Sequence, residues 1–280
     1  MDAVVEELLA RHRAVSVVSL FVLTLSAWAW LATGAGMDMR PGFFLPPLLP
    51  QDGARLTGMQ GMDMGSAGIL SGAVTAKLWS VWRFLLTFWM WWVMMVAMML
   101  PSAARMILLY VRAASSRGTT AIPSTGSFLA GYLLVWGLFS LVATGLQMLL
   151  ELAGLLAGMD MMSVSRPLSA AVLIAAGIYQ LSPLKDVCLH QCRSPARFLS
   201  RSYRAGKGGA LAMGARHGAF CIGCCWLLMA LLFVGGVMNI AWIAILTLIV
   251  AAEKMLPGGR GIAFAGGIVC LVWALWILVA

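Results

Sequence analysis

The sequence predicts an all-α fold, a polytopic membrane bundle of about seven transmembrane helices, and three observations predict it. Of 280 residues, 62% are hydrophobic and only 10% charged, whereas a water-soluble domain carries about a quarter of its residues as charges. Several apolar runs reach about 20 residues, the length at which a helix crosses a hydrocarbon core of about 30 Å. Those runs are continuous rather than alternating, which disfavours a β-barrel. Soluble enzymes and disordered chains are excluded on the same grounds, and residues 1–280 read as a single transmembrane domain.

The spans fall near 14–33, 80–101, 128–157, 167–184, 209–237, 240–256 and 261–280. The first follows Arg11 and Arg13 and precedes Ala32, Thr33, Gly34 and Ala35, a pattern shared with cleavable signal peptides, although its length favours a retained anchor. A long loop, 34–78, comes next and contains Pro41, Pro46, Pro47, Pro50 and many Gly. Phe43, Phe44 and Leu45 within it suit packing on the bundle or at the membrane interface. Trp79 and Trp82 then sit where interfacial anchors belong, at the start of the second span. Between the fourth and fifth spans lies a second extended segment, 185–208, a basic cytoplasmic loop suited to anionic headgroups.

The net charge of +9 reads as topology. Nucleic-acid binding needs basic residues gathered on a solvated face, and here they are dispersed between apolar runs. Basic residues collect on the cytoplasmic side of spans. With the N-terminus inside, the inner face receives Arg11, Arg13, Arg112, Arg117, Lys185, Arg193, Arg197, Arg201, Arg204, Lys207, Lys254 and Arg260, against Arg40, Arg55, Lys77 and Arg166 outside. The expected arrangement is therefore N-terminus cytoplasmic and C-terminus outside. Arg216 and Glu253, near the inner ends of neighbouring spans, are expected to form an ion pair.

One tetrapeptide occurs three times, as Gly36-Met37-Asp38-Met39, Gly61-Met62-Asp63-Met64 and Gly158-Met159-Asp160-Met161. The charge-derived topology, blind to methionine, places all three outside. Thioether sulfur is a soft ligand that suits Cu(I), whereas Zn²⁺ prefers thiolate and imidazole and Mg²⁺ or Ca²⁺ prefer oxygen. The six Cys fall within the membrane or on the inner side, which leaves the outer face only thioethers and carboxylates. Met-rich loops also serve as adaptable packing, yet an identical string repeated on one face speaks for metal.

In the second span Met90, Met94 and Met98 follow at i, i+4 and i+8, with Met95 and Met99 beside them. One helix face thus carries thioethers. Met94 and Met98 are the candidate conduit, and packing is the competing account of the same row. In the fifth span His217, Cys221, Cys224 and Cys225 share a face at i, i+4, i+7 and i+8. Ionisable and thiol groups inside a membrane mark function more often than chance. Cys188 and Cys192 flank His190, and Cys-x3-Cys spacing on a helix allows both sulfurs to share a metal or a disulfide.

The strings Trp92-Val-Met-Met-Val-Ala-Met-Met-Leu-Pro101-Ser, Pro183-Leu-Lys-Asp-Val-Cys188-Leu-His-Gln-Cys192-Arg-Ser-Pro195 and Gly214-Ala-Arg-His217-Gly-Ala-Phe-Cys221-Ile-Gly-Cys224-Cys225 resemble the signatures of a bacterial family of predicted metal-binding integral membrane proteins, a domain of unknown function. The resemblance covers roughly 80–257. It implies a multi-pass protein of the bacterial cytoplasmic (inner) membrane that binds metal.

No P-loop, Gly-x-Ser-x-Gly elbow or His-Glu-x-x-His occurs, so catalysis has little support. The expected function is handling of a soft metal, Cu(I), received at the outer Met-Asp-Met motifs and passed to or held by the Cys/His cluster. The expected partners are the metal ion, the lipid bilayer and an outer-side metal-binding protein or other membrane subunits. Two alternatives stand: a membrane thiol–disulfide oxidoreductase using Cys188/Cys192 and Cys221/Cys224, and a non-catalytic subunit of a membrane metalloenzyme complex.

Overall fold

The computed structural model describes residues 2–36, 79–115, 121–157, 161–163, 165–204 and 206–279. In chain order the elements are α1 (Asp2–Ala32), α2 (Val81–Ser115), α3 (Ala121–Leu152), β1 (Leu156–Ala157), β2 (Met162–Ser163), α4 (Arg166–Leu181), α5 (Pro183–Arg193), α6 (Pro195–Ser202), α7 (Gly206–Ala230), α8 (Leu232–Gly235), α9 (Ile240–Met255) and α10 (Gly259–Val279). The fold is all-α apart from the antiparallel pair β1–β2, which joins Leu156 to Ser163 and Ala157 to Met162.

Among the described residues five helices are long and apolar enough to cross a membrane: Ala14–Ala32, Val81–Ala114, Ser124–Leu152, Gly206–Gly235 and Gly259–Val279. A sixth crossing arises if α4 and α5, which meet at a bend of 65°, count as one broken span. The expected seven are not reached among the described residues. The run 240–256 forms a helix of only 16 residues, just short of the roughly 17 needed to span. Of the expected 34–78 loop, only 34–36 lie among the described residues.

The helix at 80–101 was expected to stop at Pro101, but α2 continues to Ser115. A proline inside a helix withholds the hydrogen bond to the carbonyl four residues earlier. That carbonyl belongs to Ala97, and Trp28 Nε1 of α1 donates to it at 3.2 Å. A neighbouring helix thus satisfies the group that the proline orphans, which is how apolar bundles tolerate such breaks.

Segment 185–208, expected as a loop, contains α6 and all but the first two residues of α5. The signals for both lie in the sequence, since Ser182-Pro183 and Ser194-Pro195 each put a serine at the N-cap and a proline in the first turn. Ser182 Oγ accepts from the Lys185 N–H. Leu189 of α5 and Phe198 and Leu199 of α6 are buried, so these helices close onto the bundle. The open carbonyls at the end of α4 are met by Arg260, which donates to Gln180 and Leu181 and pairs with Asp186 at 2.7 Å. One guanidinium fixes both limbs of the bend.

The broadest packing joins α3 to α7, α4 to α10, and α2 to both α1 and α3. Small residues permit the closest approach, as membrane helices require where no hydrophobic drive separates helix from lipid. A Cβ at Gly214 would collide with the Phe128 carbonyl, and one at Gly131 with the Leu211 carbonyl. Around these seams the core holds Trp91, Trp136, Tyr132, Phe128 and the methionines of α2.

Candidate metal centre

Cys221, Cys224 and Cys225 lie at i, i+3 and i+4 of α7, so one turn turns all three toward the interior, where each is buried. Cys224 Sγ and Cys225 Sγ donate to the Cys221 carbonyl at 3.0 and 2.9 Å. Helix α5, aimed along α7 by its bend, brings Cys192 Sγ to 3.9 Å from Cys224 Sγ. Cys188, higher on α5, places its sulfur beside Gly223 of α7. From α2, Met99 Sδ stands 3.9 Å from Cys225 Sγ. From α3, Tyr132 OH lies 3.3 Å from Cys221 Sγ.

The fourth side is closed by α9. Lys254 is 6% exposed, and its Nζ lies 2.9 Å from Cys221 Sγ, 3.7 Å from Met99 Sδ and 3.9 Å from Cys225 Sγ. Its sequence neighbour Glu253 pairs with Lys185 of α5 at 2.6 Å. Gln180 Nε2 donates to Glu253 at 2.8 Å, and Lys185 also donates to Gln180. All of these side chains are buried. A buried charge persists only when paired and fully hydrogen-bonded, and this trio meets that condition.

Several expectations change here. Arg216 does not pair with Glu253; it bonds Ser202 Oγ at 3.4 Å and lies over the Phe220 ring. It sits on the exposed side of α7, whereas Glu253 is buried and paired with Lys185. Lys185 and Lys254, counted among the loop charges, are interior. Cys192 meets Cys224 across helices. His190 is exposed and faces Arg197 at 3.1 Å. All six cysteines are free.

His217 is 3% exposed and packs among the rings of Phe128, Tyr132 and Phe198, with centroids 6.2, 5.8 and 5.6 Å away. Its Nδ1 finds no hydrogen-bond partner among the described residues. The orphaned nitrogen belongs to the residue one turn before Cys221, which makes it a further candidate donor. Met90, Met94, Met95, Met98 and Met99 are each no more than 1% exposed, so the expected row is a core seam that runs into the thiols at Met99.

Of the three repeats, Met37, Asp38, Met39, Met62, Asp63, Met64, Met159 and Asp160 lie outside the described residues. Met161 is described. It adopts a left-handed φ of 53°, and its sulfur accepts from Gln147 Nε2 at 2.7 Å. Gln147 Oε1 in turn accepts from Trp91 Nε1 at 2.6 Å, which ties the hairpin methionine to the Met90 end of the α2 row. Gln147 also reaches Glu151, which binds Trp79 and Arg83.

Sequence reading passed over Tyr132, Met99 as a site residue, and above all Lys254. The signal was present: two adjacent ionisable residues, Glu253-Lys254, end an apolar run, and intramembrane charges mark function by default. Among the described residues no three His, Cys, Asp or Glu side chains are arranged to hold one metal ion. The donors instead come as sulfur pairs, Cys192 with Cys224 and Cys225 with Met99. Paired thiolate and thioether donors suit a soft monovalent ion of low coordination number and not the closed tetrahedral sites of Zn²⁺.

Residues 88–277 match the family described as PpoB2, copper chaperone. That span encloses α3 to α9 and every sulfur of the cluster. The resemblance to a metal-binding family thus holds, with a copper chaperone description in place of an unknown function. No curated protein and no solved structure matches the chain.

Proposed function

The chain belongs to the PpoB2 copper chaperone family, and from that premise we propose that it carries Cu(I) as cargo within a bacterial cytoplasmic membrane. The ion is taken at outer Met-Asp-Met motifs, moved along the methionine row of α2 and held at the Cys/Met cluster between α2, α5, α7 and α9. The N-terminus faces the cytoplasm and the C-terminus the outside in this reading. The observation that carries it is the convergence of four helices on sulfur, with Cys192–Cys224 and Cys225–Met99 each at 3.9 Å.

The path has a physical basis. From Met90 to Met99 the helix rises about 14 Å, and Met161 connects through Gln147 to Trp91 at the outer end of that stretch. Thioethers bind Cu(I) without charge, so an ion moves between them by ligand exchange without proton release. Thiolates at the far end bind more tightly because they add charge. Affinity therefore rises inward.

The test is anaerobic titration of the purified full-length chain with Cu(I) against a competing chelator. Cys192→Ser, Cys224→Ser and Met99→Leu should each lower affinity at the inner site. Changing Met37, Met39, Met62, Met64, Met159 and Met161 together to Leu or Ile should remove outer binding and spare the inner site. Unchanged copper affinity in the cysteine variants overturns the reading. A second reading, dithiol exchange between Cys192 and Cys224, draws support from the same 3.9 Å approach; rapid alkylation followed by mass spectrometry separates the two, since a redox pair yields a native disulfide.

A further inference from the structure

We propose that Lys254 makes the sulfur cluster selective for monovalent over divalent cations by acting as a fixed counter-charge to the bound ion. The inference deepens the reading of the cluster as the cargo site and rests on it. The Lys254 ammonium is buried, and its polar contacts are to sulfur: Cys221 at 2.9 Å, Met99 at 3.7 Å and Cys225 at 3.9 Å. The other buried lysine is accounted for, with Lys185 closed on Glu253 at 2.6 Å. Among the described residues no carboxylate pairs with Lys254, so the counter-charge that its ammonium requires has to come from the sulfur cluster.

Charge balance then decides which ion fits. A soft monovalent ion bound between Cys224 and the facing Cys192 displaces two thiol protons: M⁺ + 2 RSH gives [M(SR)₂]⁻ + 2 H⁺. Cys192 Sγ stands 3.9 Å from Cys224 Sγ across the α5–α7 seam. The complex carries one negative charge, the ammonium one positive charge, and the buried unit is neutral. With M²⁺ the same two thiolates give neutral M(SR)₂, and the ammonium is left uncompensated in a medium that penalises lone charges heavily. The Met99 thioether adds a donor and no charge. A third thiolate would restore balance for the divalent ion, but among the described residues no three such side chains are set to hold one ion. Softness alone does not make this distinction; the position of the ammonium does.

Ag⁺ and Cd²⁺ are isoelectronic soft ions that differ by one charge, so they isolate the effect. The full-length chain in detergent micelles is titrated with each, under reducing conditions and against a competing chelator, and the ratio of Cd²⁺ to Ag⁺ dissociation constants is measured. Lys254→Leu, uncharged and without sulfur, should lower that ratio by about 100-fold or more, because a unit charge at the edge of the cluster is strongly felt at protein-interior dielectric. Lys254→Arg should retain most of the preference. Lys254→Gln provides a second neutral variant should the leucine variant fail to fold, as monitored by thermal unfolding. A ratio that stays level or rises in the folded neutral variants overturns the selectivity role and leaves the cargo site standing. If Ag⁺ affinity is unchanged in both Cys192→Ser and Cys224→Ser, the cargo site itself falls, and the role of Lys254 with it.

Discussion

Replacing Glu253 with glutamine leaves the Lys185 ammonium in place and removes its charge partner. Both side chains are sealed, 0% and 2% exposed, at an N–O separation of 2.6 Å, so water cannot screen the loss. Breaking a buried pair from one side costs about 3–5 kcal/mol, because the surviving charge is left uncompensated. Removing both charges, with Lys185→Met and Glu253→Leu, escapes that term. What remains is the amide of Gln180, which bonds to both partners and loses them, at about 1–3 kcal/mol for unsatisfied buried groups. The double variant should therefore be more stable than the single one. The assay is unfolding of the micelle-embedded chain by sodium dodecyl sulfate, followed by tryptophan fluorescence. A single variant within about 1 kcal/mol of wild type would refute the reasoning, since it would mean that water reaches the pair.

Other expectations follow from particular contacts. Trp28→Phe should destabilise by about 1–3 kcal/mol through the unmet Ala97 carbonyl, and by much less in a Pro101→Ala background, where a backbone N–H returns; a thermal-unfolding cycle reads the difference. Gly214→Val should abolish accumulation of folded protein, because its side chain would collide with the Phe128 carbonyl; normal expression with native unfolding behaviour refutes this. Cu(I) affinity at the cysteines should fall as pH falls, since protons compete for the thiolates; a flat profile between pH 8 and 6 points to thioether-only binding. A cysteine placed at Ser66 or at exposed Ala153 should react with an impermeant thiol reagent in intact cells, and protection of both would reverse the proposed sidedness.

Where composition speaks, the sequence was readable. The apolar runs became helices, and the His217–Cys225 face of α7 does turn inward, because helical spacing alone sets both. The count of spans was less readable. Whether 16 apolar residues at Ile240–Met255 cross or stop short depends on a residue or two, and the start signals at Ser182 and Ser194 were outweighed by the basic residues around them. Charge was the main source of error. Lys185 and Lys254 look identical to loop lysines until tertiary packing supplies Glu253 for one and sulfur for the other. The meeting of Cys192 with Cys224 was beyond reach for a similar reason, since it needs the 65° bend between α4 and α5. No periodicity announces the direction that a chain takes after a break.

Glu253 and Lys254 occupy successive positions on α9, about 100° apart around the helix. One therefore grips the root of α5 through Lys185, while the other presses on the thiols of α7. The last turn of α9 acts as a rivet through two plates. Helix α5 cannot swing away from α7 without pulling Lys185 off Glu253, and Arg260 holds the same root from the other side of the bend. Such a joint removes the hinge as a degree of freedom. Under the proposed Cu(I) cargo role, entry and exit of the ion then proceed by exchange from sulfur to sulfur along a standing framework, and the speed of that exchange is governed by which sulfur next comes within reach.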